Sequence, residues 1–157
     1  MKTVKELMVP LEKYPRIHEN ADIREAISML RSCTQNSRRG CQLLIVYDHR
    51  ENPSGLLTLR CLLMAVGIKT LIDDVWFKAE SWSWYFLNRM RSKGRICVKE
   101  VMRPIAAFSI DAAENLSKAA FLFASHGVNF LPVTDRGKVI GIIEVGDILN
   151  ELKNDLI

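Results

Sequence analysis

A chain of 157 residues, 48% hydrophobic and 25% charged, has the composition of an ordinary globular protein, neither disordered nor built for a membrane. Its net charge of +4 raises nucleic acid as a partner, but no helix-turn-helix, zinc finger or aromatic-basic platform accompanies that charge. No apolar run approaches bilayer length and no secretion-type h-region follows the amino terminus, so the expected location is the cytoplasm and no membrane partner is expected.

Taken in chain order, the residues spell one unit twice. Val4-Lys5-Glu6-Leu7-Met8-Val9-Pro10 reads as an extended lead-in and returns as Val98-Lys99-Glu100-Val101-Met102-Arg103-Pro104. After the first lead-in, Ile23, Ala26, Ile27 and Leu30 follow the i, i+3, i+4, i+7 spacing of one helix face, and Leu116, Ala119, Ala120 and Phe123 do the same after the second. Asp22 and Asn115 stand at the N-cap positions, with Glu25 placed to complete a capping box in the first copy.

Short apolar runs ending in a turn former follow, Leu43–Asp48 and Phe130–Asp135, and read as buried strands. Turns at Asn52-Pro53-Ser54 and Arg136-Gly137-Lys138 lead to second strands at Gly55–Thr58 and Val139–Ile143. Helices then run over Leu59–Val66 and Gly146–Leu152. Each copy is thus β-α-β-β-α-like, an α/β or layered α+β arrangement, and stacked repeats of this kind bury their apolar faces together. The domain reading is repeat one at 1–66, a helical linker at 67–95 and repeat two at 96–157. A copy of about sixty residues has a marginal core by itself.

Between the copies, Ala79, Trp82, Phe86, Leu87 and Met90 share a helical face, and all three tryptophans fall in this insert. That aromatic area either packs over the repeats or serves as a dimer contact or docking surface for a partner protein. The alternating basic run Arg89-Met90-Arg91-Ser92-Lys93-Gly94-Arg95, with Arg38-Arg39, would be spread around a solvated helix, or would meet an anionic partner. Cys33, Cys41, Cys61 and Cys97 show no Cys-x-x-Cys spacing and read as reduced packing residues. His18, His49 and His126 fall in loops, turns or helix ends with no metal-spaced partner, and no nucleophile-plus-base, Gly-x-Ser-x-Gly or phosphate-loop motif is present. The reading is no enzyme, no required cofactor and no metal.

The order Met-x-Pro, helix, apolar strand ending in Asp, then Gly141-Ile142-Ile143-Glu144-Val145-Gly146-Asp147, resembles the cystathionine-β-synthase (CBS) domain, and the tandem resembles a CBS pair, or Bateman module. The resemblance implies a pseudo-twofold packing of the two repeats with two clefts, each able to hold an adenosine-containing ligand such as AMP, ADP, ATP or S-adenosylmethionine. It also implies a disc-like homodimer. In the family pattern Gly-h-h-Ser/Thr-x-x-Asp, the hydroxyl meets phosphate and the Asp accepts the ribose hydroxyls.

Each copy keeps one half of that pattern. Repeat two has Asp147 in the ribose position and Glu144 where a hydroxyl would be; a carboxylate about 4 Å from a phosphate costs roughly 4 kcal/mol at an effective dielectric of 20. Repeat one keeps Thr58, adds Arg60 and has Cys61 in place of the Asp. The family arrangement further implies adenine-edge recognition by the backbone of a lead-in strand at Ile105, Ala106, Ala107 and Phe108, with Asn129, Leu131 and Pro132 as a wall. Pro132 cannot donate to a ladder and points to an edge or a bulge. The functional reading is a non-catalytic sensor: an adenosyl ligand in the cleft between repeats changes the surface shown to a partner. Opposed to it are a ligand-free interaction module with degenerate sites and, more weakly, nucleic-acid binding through the basic linker end.

Overall fold

A computed structural model describes residues 2–36, 42–72 and 96–156. The elements run α1 (Val4–Leu7), β1 (Val9–Pro10), a 3-10 turn (Leu11–Lys13), β2 (Arg16–His18), α2 (Ile23–Asn36), β3 (Leu43–Tyr47), β4 (Pro53–Thr58) and α3 (Leu59–Ile72). After the linker come α4 (Val98–Val101), β5 (Arg103–Pro104), a 3-10 turn (Ile105–Ala107), β6 (Ile110–Asp111), α5 (Leu116–His126), β7 (Phe130–Asp135), β8 (Lys138–Glu144) and α6 (Val145–Leu156). The mixed α/β class and the doubled β-α-β-β-α order are as read from the sequence. α3 continues past Val66 to Ile72, into the segment assigned to the linker. The rest of that linker, with Ala79, Trp82, Phe86, Leu87, Met90 and the Arg89–Arg95 run, lies outside the described residues, as do Arg38, Arg39 and Cys41.

The chain divides into two compact units whose boundaries are not those of the repeats. The first unit is Tyr14–Pro104; the second joins Met1–Lys13 to Ile105–Ile157. Each repeat therefore lends its lead-in to the sheet of the other: the sheet orders are β2-β3-β4-β5 and β1-β8-β7-β6. The lead-ins are not the extended segments expected. Each forms a one-turn helix, with the Glu6 and Glu100 carboxylates accepting the Thr3 and Cys97 N–H at 3.3 Å, before turning into a two-residue strand. A single turn is favoured because Val4 and Val98 are buried while the Lys and Glu beside them stay at the surface.

Close approach explains one glycine in each unit. β1 runs antiparallel to β8, with Pro10 opposite Gly141, and β5 runs antiparallel to β4, with Pro104 opposite Gly55. A Cβ on Gly141 would sit 2.7 Å from the Val9 carbonyl oxygen, and one on Gly55 2.9 Å from that of Arg103, nearer than any side chain can be tolerated. Proline suits the facing positions because β1 and β5 are edge strands with no further neighbour to receive an N–H.

The cores are the apolar strand runs. Leu44, Val46 and Leu57 join Ile17, Ile23, Ala26, Leu30 and Leu62 in the first unit. In the second, Leu131, Val133, Ile142, Ile143, Leu116 and Ala119 are buried. β2 and β6, not singled out in the sequence, run parallel to β3 and β7; they are too short for alternation to be visible. His18, expected in a loop, ends β2, and its Nδ1 accepts the Asn20 N–H at 3.1 Å. α5 starts as expected, with the Asn115 side chain accepting the Lys118 N–H at 2.9 Å. Asp48 closes the β3–β4 turn by accepting the N–H groups of Arg50 and Asn52. The Asn52 bond, foremost, holds its carboxyl below the usual carboxylate range.

Candidate functional site

In the second unit, the start of one strand, the end of another and the start of a helix converge. β7 and β8 are antiparallel with Phe130 opposite Glu144, Leu131 opposite Ile143 and Pro132 opposite Ile142. The residue before β7, Asn129, accepts the Val145 N–H on its carbonyl at 3.0 Å, tying the start of β7 to the start of α6. Asp147 lies in the first turn of that 12-residue helix, where the helix dipole favours a carboxylate. β6 is parallel to β7, with Ile110 opposite Val133, so the residues preceding Ile110 run back toward the Asn129 end of the sheet. Asn129, Glu144 and Asp147 are thus gathered at one end.

Ile105–Ala107 does not form the lead-in strand expected. It is a 3-10 turn, closed by the Phe108 N–H donating to the Ile105 carbonyl at 3.2 Å, with Ile105 and Phe108 buried and Ala106 and Ala107 exposed. The two apolar side chains anchor the turn and the two small residues leave its backbone open. Leu131 is likewise a core side chain, fully buried, whereas Asn129 is exposed and Glu144 and Asp147 are half-buried.

Pro132 lies on a strand flanked on both sides, at a position that is open on one of them. β7 lies between β8 and β6, and the sheet irregularity falls one residue later, between Val133 and Thr134. Proline is tolerated because β6 reaches only Val133 and Thr134, so no strand stands beside Pro132 on that side.

The equivalent place in the first unit has the same frame and different chemistry. The Leu59 N–H donates to the Gln42 carbonyl at 3.1 Å, matching the Val145–Asn129 bond. Thr58 Oγ1 accepts the Cys61 N–H at 3.2 Å and also lies 3.2 Å from Cys61 Sγ, to which it donates. The hydroxyl expected to meet a phosphate therefore caps α3, a role that sequence spacing shows only if the threonine is read as an N-cap residue. Arg60 is exposed beside it. Cys61 packs against the first core.

With this geometry in place the class is clear: a doubled β-α-β-β-α unit. The CBS domain profile matches residues 4–68 and 98–154, and the chain belongs to the CBS-domain family as a tandem pair. Comparison with curated proteins finds no match. Among solved structures, the chain is similar to CBSX2 in complex with AMP, at 21% identity and TM-score 0.68, over 100% of both chains. It is similar also to the CBS-pair protein CBSX2 of Arabidopsis thaliana, at 22% identity and TM-score 0.63, over 98% of this chain and 96% of that one. A third likeness, at 23% identity and TM-score 0.59, is to the cytosolic domain of the Mg2+ channel MgtE in complex with ATP; it covers 92% of this chain and 46% of that one. Among the described residues no helix is long and apolar enough to cross a membrane.

Proposed function

We propose that this chain is a non-catalytic regulatory module whose second unit binds an adenosine-containing ligand. What supports the reading is that Asn129, Glu144 and Asp147 lie at one end of a single sheet, where β7 starts, β8 ends and α6 begins. The AMP held by CBSX2 and the ATP held by the MgtE domain support an adenine ligand. Asp147 accepts the ribose hydroxyls. The turn backbone and Asn129 meet the adenine edge. Glu144 stands at the phosphate position and disfavours an anion there, so adenosine or the cationic S-adenosylmethionine is preferred to AMP, ADP or ATP. The first unit, whose Thr58 hydroxyl is spent on capping α3, serves as the structural partner.

Calorimetry on nucleotide-stripped protein tests this. Adenosine or S-adenosylmethionine binds and ATP does not, and Glu144→Thr admits AMP, gaining at least tenfold in affinity, the equivalent of about 1.4 kcal/mol. Binding of ATP to the wild type more tightly than adenosine would overturn the assignment of Glu144.

The output passes through a cytoplasmic homodimer to a partner protein. Leu63 and Leu149 hold equivalent positions on α3 and α6 and are each at least 60% exposed, with Met64 and Phe121 also open to solvent; exposed apolar helix faces of this kind mark association surfaces. Sedimentation should show a dimer for the wild type and a monomer for Leu63→Glu/Leu149→Glu. A monomeric wild type at tens of micromolar contradicts the dimer.

A further inference from the structure

Each lead-in strand is held by a methionine pressed onto a glycine. Met8 precedes β1, and its Sδ lies 2.8 Å from where a Cβ on Gly141 would stand; Met102 precedes β5, and its Sδ presses closer still on the same point of Gly55. Both thioethers thus occupy the space that the glycines leave empty. The arrangement occurs once in each unit, on opposite halves of the chain. β1 and β5 are two-residue edge strands, each paired at only two positions; the turns before them are pinned by backbone bonds from Val4 and Lys5 to Glu114 and Ala112 and from Val98 and Lys99 to Ala21 and Glu19, so the methionine is what seats the strand itself. Met102 packs against the first core as well. Both methionines are half-buried, seated yet within reach of a small solute.

We propose that Met8 and Met102 form a pair of oxidation-sensitive latches that release the lead-in strands when a peroxide converts them to sulfoxides. The sulfur lone pair attacks one peroxide oxygen, the O–O bond breaks, an S–O bond forms, and the remaining oxygen leaves as water after proton transfer. Sulfur loses two electrons and the peroxide gains them. The product is a polar, chiral side chain in place of an apolar, pliable one. Its oxygen cannot stay unsolvated against a glycine backbone without cost, so the side chain turns to water and the strand loses its anchor. In the second unit the strand so freed lies on Gly141, the first residue of the run that ends in Glu144 and Asp147. The latch rests on the fold alone and stands or falls apart from the ligand reading.

Met64, half exposed on α3, is the internal control. Intact protein is treated with hydrogen peroxide, sulfoxides are mapped by peptide mass spectrometry, and amide hydrogen exchange is followed over 139–143 and 54–57. Once Met8 and Met102 are oxidised, exchange in both segments should rise roughly tenfold, and methionine sulfoxide reductase should restore protection. In Met8→Leu/Met102→Leu, the same peroxide should oxidise Met64 and leave both segments protected. If the double variant does not fold, reversal by the reductase in the wild type decides. Sulfoxides at Met8 and Met102 without faster exchange overturn the proposal, as does oxidation of Met64 while both latches resist, an equal response of the leucine variant, or failure of the reductase to restore protection.

Discussion

Asp147→Ala is expected to weaken binding of adenosine or S-adenosylmethionine ten- to a hundredfold and to leave the fold intact. Hydrogen bonds to a charged acceptor are worth about 1.5–3 kcal/mol each, and the alanine removes the only carboxylate that the family pattern offers to the ribose. The side chain is half-buried at the first turn of α6, outside the buried core. Losing a favourable charge at a helix start costs about 0.3–1 kcal/mol of stability, small beside the binding effect. Calorimetric titration of the variant checks the first number and urea unfolding the second. Unchanged affinity in Asp147→Ala removes the site from the second unit. Arg60→Ala, beside the Thr58 cap in the first unit, then becomes the variant to compare.

Leu131→Ala should do the reverse. Leu131 is fully buried on β7 opposite Ile143, and truncation of such a side chain costs about 2–5 kcal/mol through lost transfer energy and the cavity left behind. For a chain of this size, whose whole stability is of order 5–15 kcal/mol, that is a large share. The midpoint of urea unfolding should fall markedly, while protein that remains folded in saturating ligand keeps its ligand preference. A loss under about 1 kcal/mol would mean that β7 is less tightly packed than its burial shows. The two variants together separate a ligand-contacting residue from a wall residue that acts by holding the sheet in shape.

Much of this architecture is legible in the linear order of residues because it comes twice. The helix periodicity of Leu116, Ala119 and Phe123, the apolar run Leu43–Val46 and the Asn115 cap all act over a few residues, and local interactions of that range leave a pattern that spacing alone reveals. Ile105–Phe108 went differently, as a 3-10 turn in place of a strand. Its conformation is set by Ile105 and Phe108 reaching into the core on either side of two alanines, which four residues cannot announce. Pro132 looked like an edge residue by its missing donor. Its strand lies inside the sheet, but β6 is only two residues long and leaves that side of Pro132 open, a fact about another segment.

The sequence by itself determined the repeat, the doubled β-α-β-β-α order, the family, and the asymmetry between Glu144–Asp147 and Thr58–Cys61, since each is written in contiguous residues. Tertiary structure alone decided which sheet receives each lead-in. Val9–Pro10 and Arg103–Pro104 are too short to carry a pairing preference of their own, and their partners, Gly141–Ile142 and Gly55–Leu56, lie in the other repeat. Strand pairing is a contest among distant backbones, won here where a glycine leaves room for a carbonyl and a thioether. The same holds for Thr58. Its hydroxyl has the right chemistry for a phosphate; the spacing allows it to be an N-cap, and the three-dimensional position of the Cys61 amide shows that it acts as one.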